Sequence, residues 1–283
     1  MKILVTGVHG QLGYDVCRVL SRRGINYRGV VRDDFDLTDF ETTYSYVERY
    51  APDAVIHCSA WTAVDQAEDE LSAATAVNVG GTRAIAEACR ALDAKMIYIS
   101  TDYVFHGDGE RFYEPDDPTG PLGVYGSTKL GGEKAVQGLL NKYFIVRTSW
   151  VFGINGSNFV KTMLRLAETR TEVNVICDQT GSPTYTADLA LLLCDMVMTE
   201  KYGIYHATNE GICSWADFAE EIFRVAGKKV KVNRILTSEY PTRAVRPHNS
   251  RLDKSKLEQM GFRRLPPWQD ALKRYWKELS ETV

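Results

Sequence analysis

Tyr125 and Lys129 stand four residues apart in Tyr125-Gly126-Ser127-Thr128-Lys129. On a helix that spacing puts them one turn apart on a single face. A free phenol, with a pKa of about 10, is a poor proton donor or acceptor at neutral pH. An ammonium fixed beside it favours the phenolate, which predicts a tyrosine usable as an acid at working pH. Many solvated helices carry such a pair by chance, so its meaning depends on what lies upstream. Thr101 stands 24 residues before Tyr125, just after the apolar run Lys95–Ser100. A hydroxyl to hold a carbonyl oxygen, a phenol to protonate it and an ammonium to tune the phenol make a set suited to a carbonyl.

The elements that must position this set alternate. Strand-like runs at Lys2–Thr6, Tyr27–Val31, Ala54–Cys58, Lys95–Ser100 and Tyr143–Arg147 are separated by helical stretches at about 11–23, 40–50, 71–92 and up to 140. Almost uniformly apolar strands between helices predict a parallel sheet covered on both faces. The expected fold is α/β and doubly wound, with residues 1–150 as the first domain. Residues 151–283 read as a smaller α/β substrate-binding domain, parts of which return to the first.

Between the first strand and helix lies Gly7-Val8-His9-Gly10-Gln11-Leu12-Gly13. Glycines let a backbone turn tightly against a pyrophosphate, and the helix start beyond supplies N–H groups and a positive dipole end. The spacing is G-x-x-G-x-x-G, one residue longer than the usual fingerprint, and a merely tight turn is the plainer alternative. A dinucleotide-binding Rossmann sheet is the expectation. The second strand ends Val31-Arg32-Asp33-Asp34. Arg32 suits the 2′-phosphate of NADPH, Asp33 suits the ribose of NADH, and solvated loop charge is the third reading.

Bulk properties exclude other classes. A net charge of −3 and a pI near 6.0 offer no electrostatic case for nucleic acid or an anionic membrane. No apolar run approaches the roughly 20 residues of a membrane span, and the N-terminus does not read as a signal peptide. The cysteines, Cys17, Cys58, Cys89, Cys177, Cys194 and Cys213, are scattered without a metal-ligand spacing and read as free thiols in the cytoplasm.

Further stretches carry a likeness to a known family. They are Thr62-Ala63-Val64-Asp65 with Ala67-Glu68, Ser100-Thr101-Asp102-Tyr103-Val104-Phe105, and Val124-Tyr125-Gly126 leading to Lys129-Leu130. Arg147-Thr148-Ser149-Trp150-Val151, Asn158-Phe159-Val160-Lys161-Thr162-Met163 and Arg246-Pro247-His248-Asn249-Ser250 follow in order. In these the chain resembles the extended short-chain dehydrogenase/reductases, and within them the dTDP-4-dehydrorhamnose reductase family, nearly end to end. The resemblance implies that NADPH or NADH delivers hydride to C4 of a dTDP-linked 4-keto sugar. Tyr125 would protonate the oxygen, Thr101 would hydrogen-bond it, and Lys129 would hold the nicotinamide ribose and lower the phenol's pKa. Gly10-Gln11-Leu12, Asp36-Leu37 and Ala60-Trp61-Thr62 would line the cofactor. Thr101, Asp102 and Trp150 would meet the sugar nucleotide, unless Trp150 is ordinary core. Arg246, in an Arg-rich loop, is a candidate diphosphate clamp or a solvated charge.

Some members of that family hold magnesium with carboxylates at a dimer contact. Asp15 and Asp188 stand at two such positions as the shorter acid, with no third carboxylate matched before Val283. They read as solvated helix residues, no metal is expected, and monomer and homodimer stay open. Two rivals to reduction differ from it in the residues they need. A dehydratase or epimerase of the same superfamily would retain NAD, but elimination needs an acid where Tyr103 stands. A non-catalytic regulatory subunit would not need Thr101, Tyr125 and Lys129 together.

Overall fold

The structure, a computed structural model, describes residues 1–282. Its first half runs β1 (Lys2–Thr6), α1 (Gln11–Arg22), β2 (Asn26–Val30), α2 (Phe40–Tyr50), β3 (Ala54–His57), α3 (Val64–Asp69), α4 (Leu71–Thr75), α5 (Thr82–Ala91), β4 (Lys95–Thr101), α6 (Val124–Leu139) and β5 (Tyr143–Thr148). The second half continues with β6 (Val151–Phe152), α7 (Phe159–Leu166), β7 (Glu172–Ile176), β8 (Thr180–Gly181), β9 (Thr184–Tyr185), α8 (Thr186–Met196) and β10 (Gly203–His206). After these come β11 (Cys213–Ser214), α9 (Trp215–Val225), β12 (Lys231–Ile235), α10 (Ser255–Gln259) and α11 (Trp268–Thr282).

Six strands pair in the order β10-β5-β4-β3-β1-β2, all parallel. The apolar runs explain this, since parallel strands are buried on both faces. Ile3, Val5, Ile56 and Ile97 pack beneath α1 and α8 on one face, while Leu4, Val55, Met96 and Tyr98 meet α2, α5 and α6 on the other. Another core joins Phe152, Tyr185, Phe218 and Tyr275 around β6, β9, α9 and α11. Segments from the second half therefore enter the sheet and its core: β10 pairs with β5, and α8 packs on α1.

The chain leaves β1 for β2 on one side and returns as β3 on the other. That reversal opens a crevice at the carboxyl ends of β1 and β3, the usual ligand position in such sheets. One expected element differs. The helix predicted over 71–92 is broken by a π-helical turn at Ala76–Gly81. There the backbone passes so near Leu37 that a Cβ on Gly81 would sit 2.7 Å from the Leu37 carbonyl oxygen. The extra residue per turn lets Asn78 face inward.

Candidate active site

Gly7 turns the chain out of β1 with φ +71°, and a Cβ there would lie 2.8 Å from the Ser59 nitrogen. A Cβ on Gly13 would lie 2.4 Å from the Gly7 carbonyl oxygen, so helix and turn approach as only glycine permits. Gly10 is the N-cap of α1 and offers no side chain to its first N–H groups. Those donors open onto a cleft of about 1000 Å³.

Gly7, Gly10, Gln11, Leu12 and Gly13 line this cleft with Arg32, Asp36 and Leu37, and with Ala60, Trp61 and Thr62. Thr101, Asp102, Tyr125, Lys129 and Trp150 line the same cleft. Of the residues singled out from the sequence, Arg246 is not brought to it. Its guanidinium is engaged by Asp65 at 2.5 Å and reaches the Tyr103 hydroxyl at 3.4 Å.

At the end of β2 the two signs of charge separate. Asp33 does not line the cleft, and Asp34 turns back to accept the Val31 N–H at 2.8 Å. Arg32 remains as the cation facing the cleft. Asp36 accepts the Thr38 N–H at 2.9 Å, which holds its carboxyl below the ordinary value.

Thr101 ends β4, where its hydroxyl accepts the Tyr103 N–H at 3.2 Å and donates to Asp102 at 3.0 Å. Ser250 also donates to Asp102, and burial pushes this carboxyl up to about 6. Tyr103 lies edge-on to Tyr125 with ring centroids 5.4 Å apart. Glu68 accepts the Val124 N–H at 2.8 Å and so fixes the start of α6 one residue before Tyr125.

The groups acting on the Tyr125 phenol are others than Lys129. Burial raises the phenol above its ordinary range, the Thr101 hydroxyl opposes the rise, and Asp102 and Tyr103 add to it. Lys129 instead places its ammonium 4.1 Å from the Tyr98 ring centroid. Its charge acts on Glu133, His57 and Cys58.

Trp150 takes φ +50°, a conformation uncommon for a bulky residue. Its ring stacks on Trp215 with centroids 3.7 Å apart and 13° between planes. Sequence reasoning missed Trp215, which opens α9 far along the chain and belongs to no spacing with Trp150. It also missed the loop after β6, where Gly156 and Ser157 line the cleft. Asn155 there donates to the His9 carbonyl at 2.7 Å, and Asn158 to Gln11 at 3.0 Å. Asn155-Gly156 is a recognisable turn signal, but only the fold reveals what it docks on.

The expectation that Asp15 and Asp188 are solvated is also corrected. Both are buried. Asp15 accepts from Arg18 at 3.0 Å and Thr186 at 2.5 Å, and Asp188 from both Arg274 terminal nitrogens at 2.7 Å and from Asn209 at 2.8 Å. A third carboxylate, Glu278, joins the group and takes Arg18 at 2.6 Å and Tyr185 at 2.5 Å. Two guanidinium groups, Arg18 and Arg274, counter the three carboxylates, and among the described residues no group of three or more such side chains is arranged to hold a metal ion. Val283, before which the sequence matches no third carboxylate, lies outside the described residues. Among the described residues no helix is long and apolar enough to cross a membrane.

A doubly wound parallel sheet with a glycine turn at its reversal point, and with Thr101, Tyr125 and Lys129 in the same crevice, defines a dinucleotide-binding short-chain dehydrogenase/reductase. The chain matches the RmlD substrate binding domain family over residues 1–281. It belongs to the dTDP-4-dehydrorhamnose reductase family. It is 45% identical to a dTDP-4-dehydrorhamnose reductase of Streptomyces griseus over 95% of this chain and 91% of that one. A crystal structure of such a reductase from Clostridium acetobutylicum superposes with TM-score 0.97 at 40% identity, covering 99% of this chain and 100% of that one. Another, from Bacillus anthracis in complex with NADP, gives TM-score 0.95 at 41% identity over 98% and 99% of the two chains.

Proposed function

We propose that this chain reduces the C4 keto group of dTDP-4-dehydro-L-rhamnose with NADPH, giving dTDP-L-rhamnose in the cytoplasm. The observation that carries the reading is one continuous cleft lined by the glycine turn, Arg32, Thr101, Tyr125 and Lys129. The cradle left by Gly7 and Gly13, the uncapped start of α1 and the cleft volume fit a dinucleotide. Bound NADPH supplies hydride. The α1 N–H groups take its diphosphate, Arg32 takes the 2′-phosphate, and Lys129 donates to the nicotinamide ribose.

Thr101 fixes the substrate carbonyl oxygen through its hydroxyl. Tyr125 holds the proton that this oxygen needs. A phenol raised by burial stays protonated at neutral pH, which is the form a reduction consumes. Its proton still moves readily to an alkoxide, whose conjugate acid is weaker still. Asp102, at the Thr101 hydroxyl, and the Trp150 face meet the sugar nucleotide. Tyr103, standing where elimination needs a carboxylic acid, supports reduction over dehydration.

The test is NADPH oxidation by purified protein on addition of the keto sugar, beside a reaction without reductant. One NADPH consumed per sugar converted is expected. Conversion without added reductant contradicts the reading and favours an enzyme that recycles bound NAD.

A further inference from the structure

Beside the Tyr125–Lys129 turn lies a buried ion pair, Glu133 with Arg147, that the proposed mechanism leaves unused. On β4, Tyr98 and Ser100 are two residues apart and share a face of the sheet. On α6, Lys129 and Glu133 are four apart and share a face of the helix. The two spacings mesh. The Lys129 ammonium sits over the Tyr98 ring, the Tyr98 hydroxyl donates to the Lys129 carbonyl at 3.2 Å, and Ser100 donates to Glu133 at 2.5 Å. Gly132 permits this approach, because a Cβ there would lie 2.2 Å from the Tyr98 hydroxyl. From β5, Arg147 clamps Glu133, with Nε to Oε1 at 2.9 Å and Nη2 to Oε2 at 2.7 Å. Its remaining terminal nitrogen donates to the Pro115 carbonyl at 2.9 Å.

Glu133, Arg147 and Lys129 are 1%, 3% and 3% exposed. Glu133 pairs with Arg147, and of the two it is Glu133, one turn along α6, whose charge acts on the buried Lys129. Facing it are Glu133 of its own helix, the Tyr98 ring on β4, and His57 and Cys58 at the end of β3, while Arg147 on β5 reaches Glu133. Glu133 is the carboxylate among them. Three protein donors hold that carboxylate in place, so its field is fixed rather than averaged over rotamers.

We propose that Glu133, fixed by Ser100 and Arg147, is a positioning residue whose buried negative charge keeps Lys129 an ammonium in the cleft. Burial pushes Lys129 down to about 7, and the Glu133 charge opposes that fall. The consequence for turnover rests on the role proposed above for Lys129; the electrostatic assignment does not.

The test is NMR titration of protein labelled with carbon-13 at the lysine ε-carbon, the Lys129 signal being assigned by its absence in Lys129→Met. Glu133→Gln moves the Lys129 titration downward by about one pH unit, a tenfold fall in the ratio of ammonium to amine at a given pH. Glu133→Asp, which keeps the charge, restores most of it. Because Gln strands a buried Arg147 and threatens folding, Glu133→Gln/Arg147→Met is titrated as well, with the same direction expected. A Lys129 titration unchanged in the folded variants overturns the proposal. The NADPH dissociation constant and kcat/KM are followed over the same pH range. If the titration moves and these do not follow, the assignment of Glu133 stands and the role given to Lys129 fails.

Discussion

The side-chain amide of Asn78 donates to the Thr128 hydroxyl at 3.0 Å, joining the π-helical turn to the helix that carries Tyr125. Asn78 also accepts the Trp61 N–H at 2.8 Å and donates to the Trp61 carbonyl at 3.2 Å. One buried residue thus holds the Trp61 wall of the cleft at a set distance from α6. It reaches both because the π-helical turn presents it inward.

Asn78→Leu keeps the volume and removes all three bonds, leaving the Trp61 backbone groups without their partner. A loss of about 2–4 kcal/mol in unfolding free energy is expected, read by urea denaturation. NADPH affinity measured by fluorescence should fall with it. Wild-type affinity in the folded variant would mean that Trp61 is placed by other contacts.

Tyr125→Phe removes the phenolic proton and little else. The expected outcome is a fall in kcat of about 10²–10⁴-fold, the range for losing a general acid, with NADPH binding intact. Near wild-type turnover would assign the proton to another group in the cleft.

Arg32 is the cation that faces the cleft at the end of β2, and Asp33 does not face it. Arg32→Ala should weaken NADPH by about tenfold to a hundredfold, the worth of a hydrogen bond to a charged group. NADH should hardly change. Equal losses for both cofactors would place Arg32 on something other than a 2′-phosphate.

His57 is buried between Thr6, at 2.8 Å, and Thr82, at 3.2 Å. Burial, with the Lys129 charge second, pushes it down to about 3. The unfolded chain takes up this proton below about 6.5, which the fold refuses until about 3. The contribution is therefore complete above pH 6.5 and is lost as pH falls through that window. Buried His206 behaves alike, whereas Asp102, raised to about 6, works in the opposite direction as pH falls below about 6 and offsets part of the loss. Unfolding free energy should drop from pH 7 to 5, and His57→Gln should reduce that drop by about 2 kcal/mol. An identical slope in the variant would mean that His57 is protonated in the native protein.

Much of the fold could be read in advance because it rests on local patterns. Apolar strands between periodic helices mark a covered parallel sheet, and Gly7, Gly10 and Gly13 mark a turn only glycine can make. Thr101, Tyr125 and Lys129 were legible as residue types at the ends of recognisable elements. What was hidden depends on where side chains point after packing. Lys129 shares a face with Tyr125 but turns to the Tyr98 ring, because β4 supplies a buried π surface. Asp15 and Asp188 look like helix-surface acids until α1, α8 and α11 bring Arg18 and Arg274 to them. Arg246 looks free until α3 presents Asp65. The π-helical turn leaves no period in a stretch as short as Ala76–Gly81.

The central claim is that hydride passes from NADPH to C4 of the keto sugar while this protein supplies the proton. NADPH carrying deuterium at the transferable nicotinamide position tests it most directly, with the product read by NMR. The expected result is dTDP-L-rhamnose with deuterium at C4, one equivalent of NADP⁺ formed for each sugar reduced, and no product without added cofactor. Product formed without NADPH, or bearing no deuterium at C4, would contradict it.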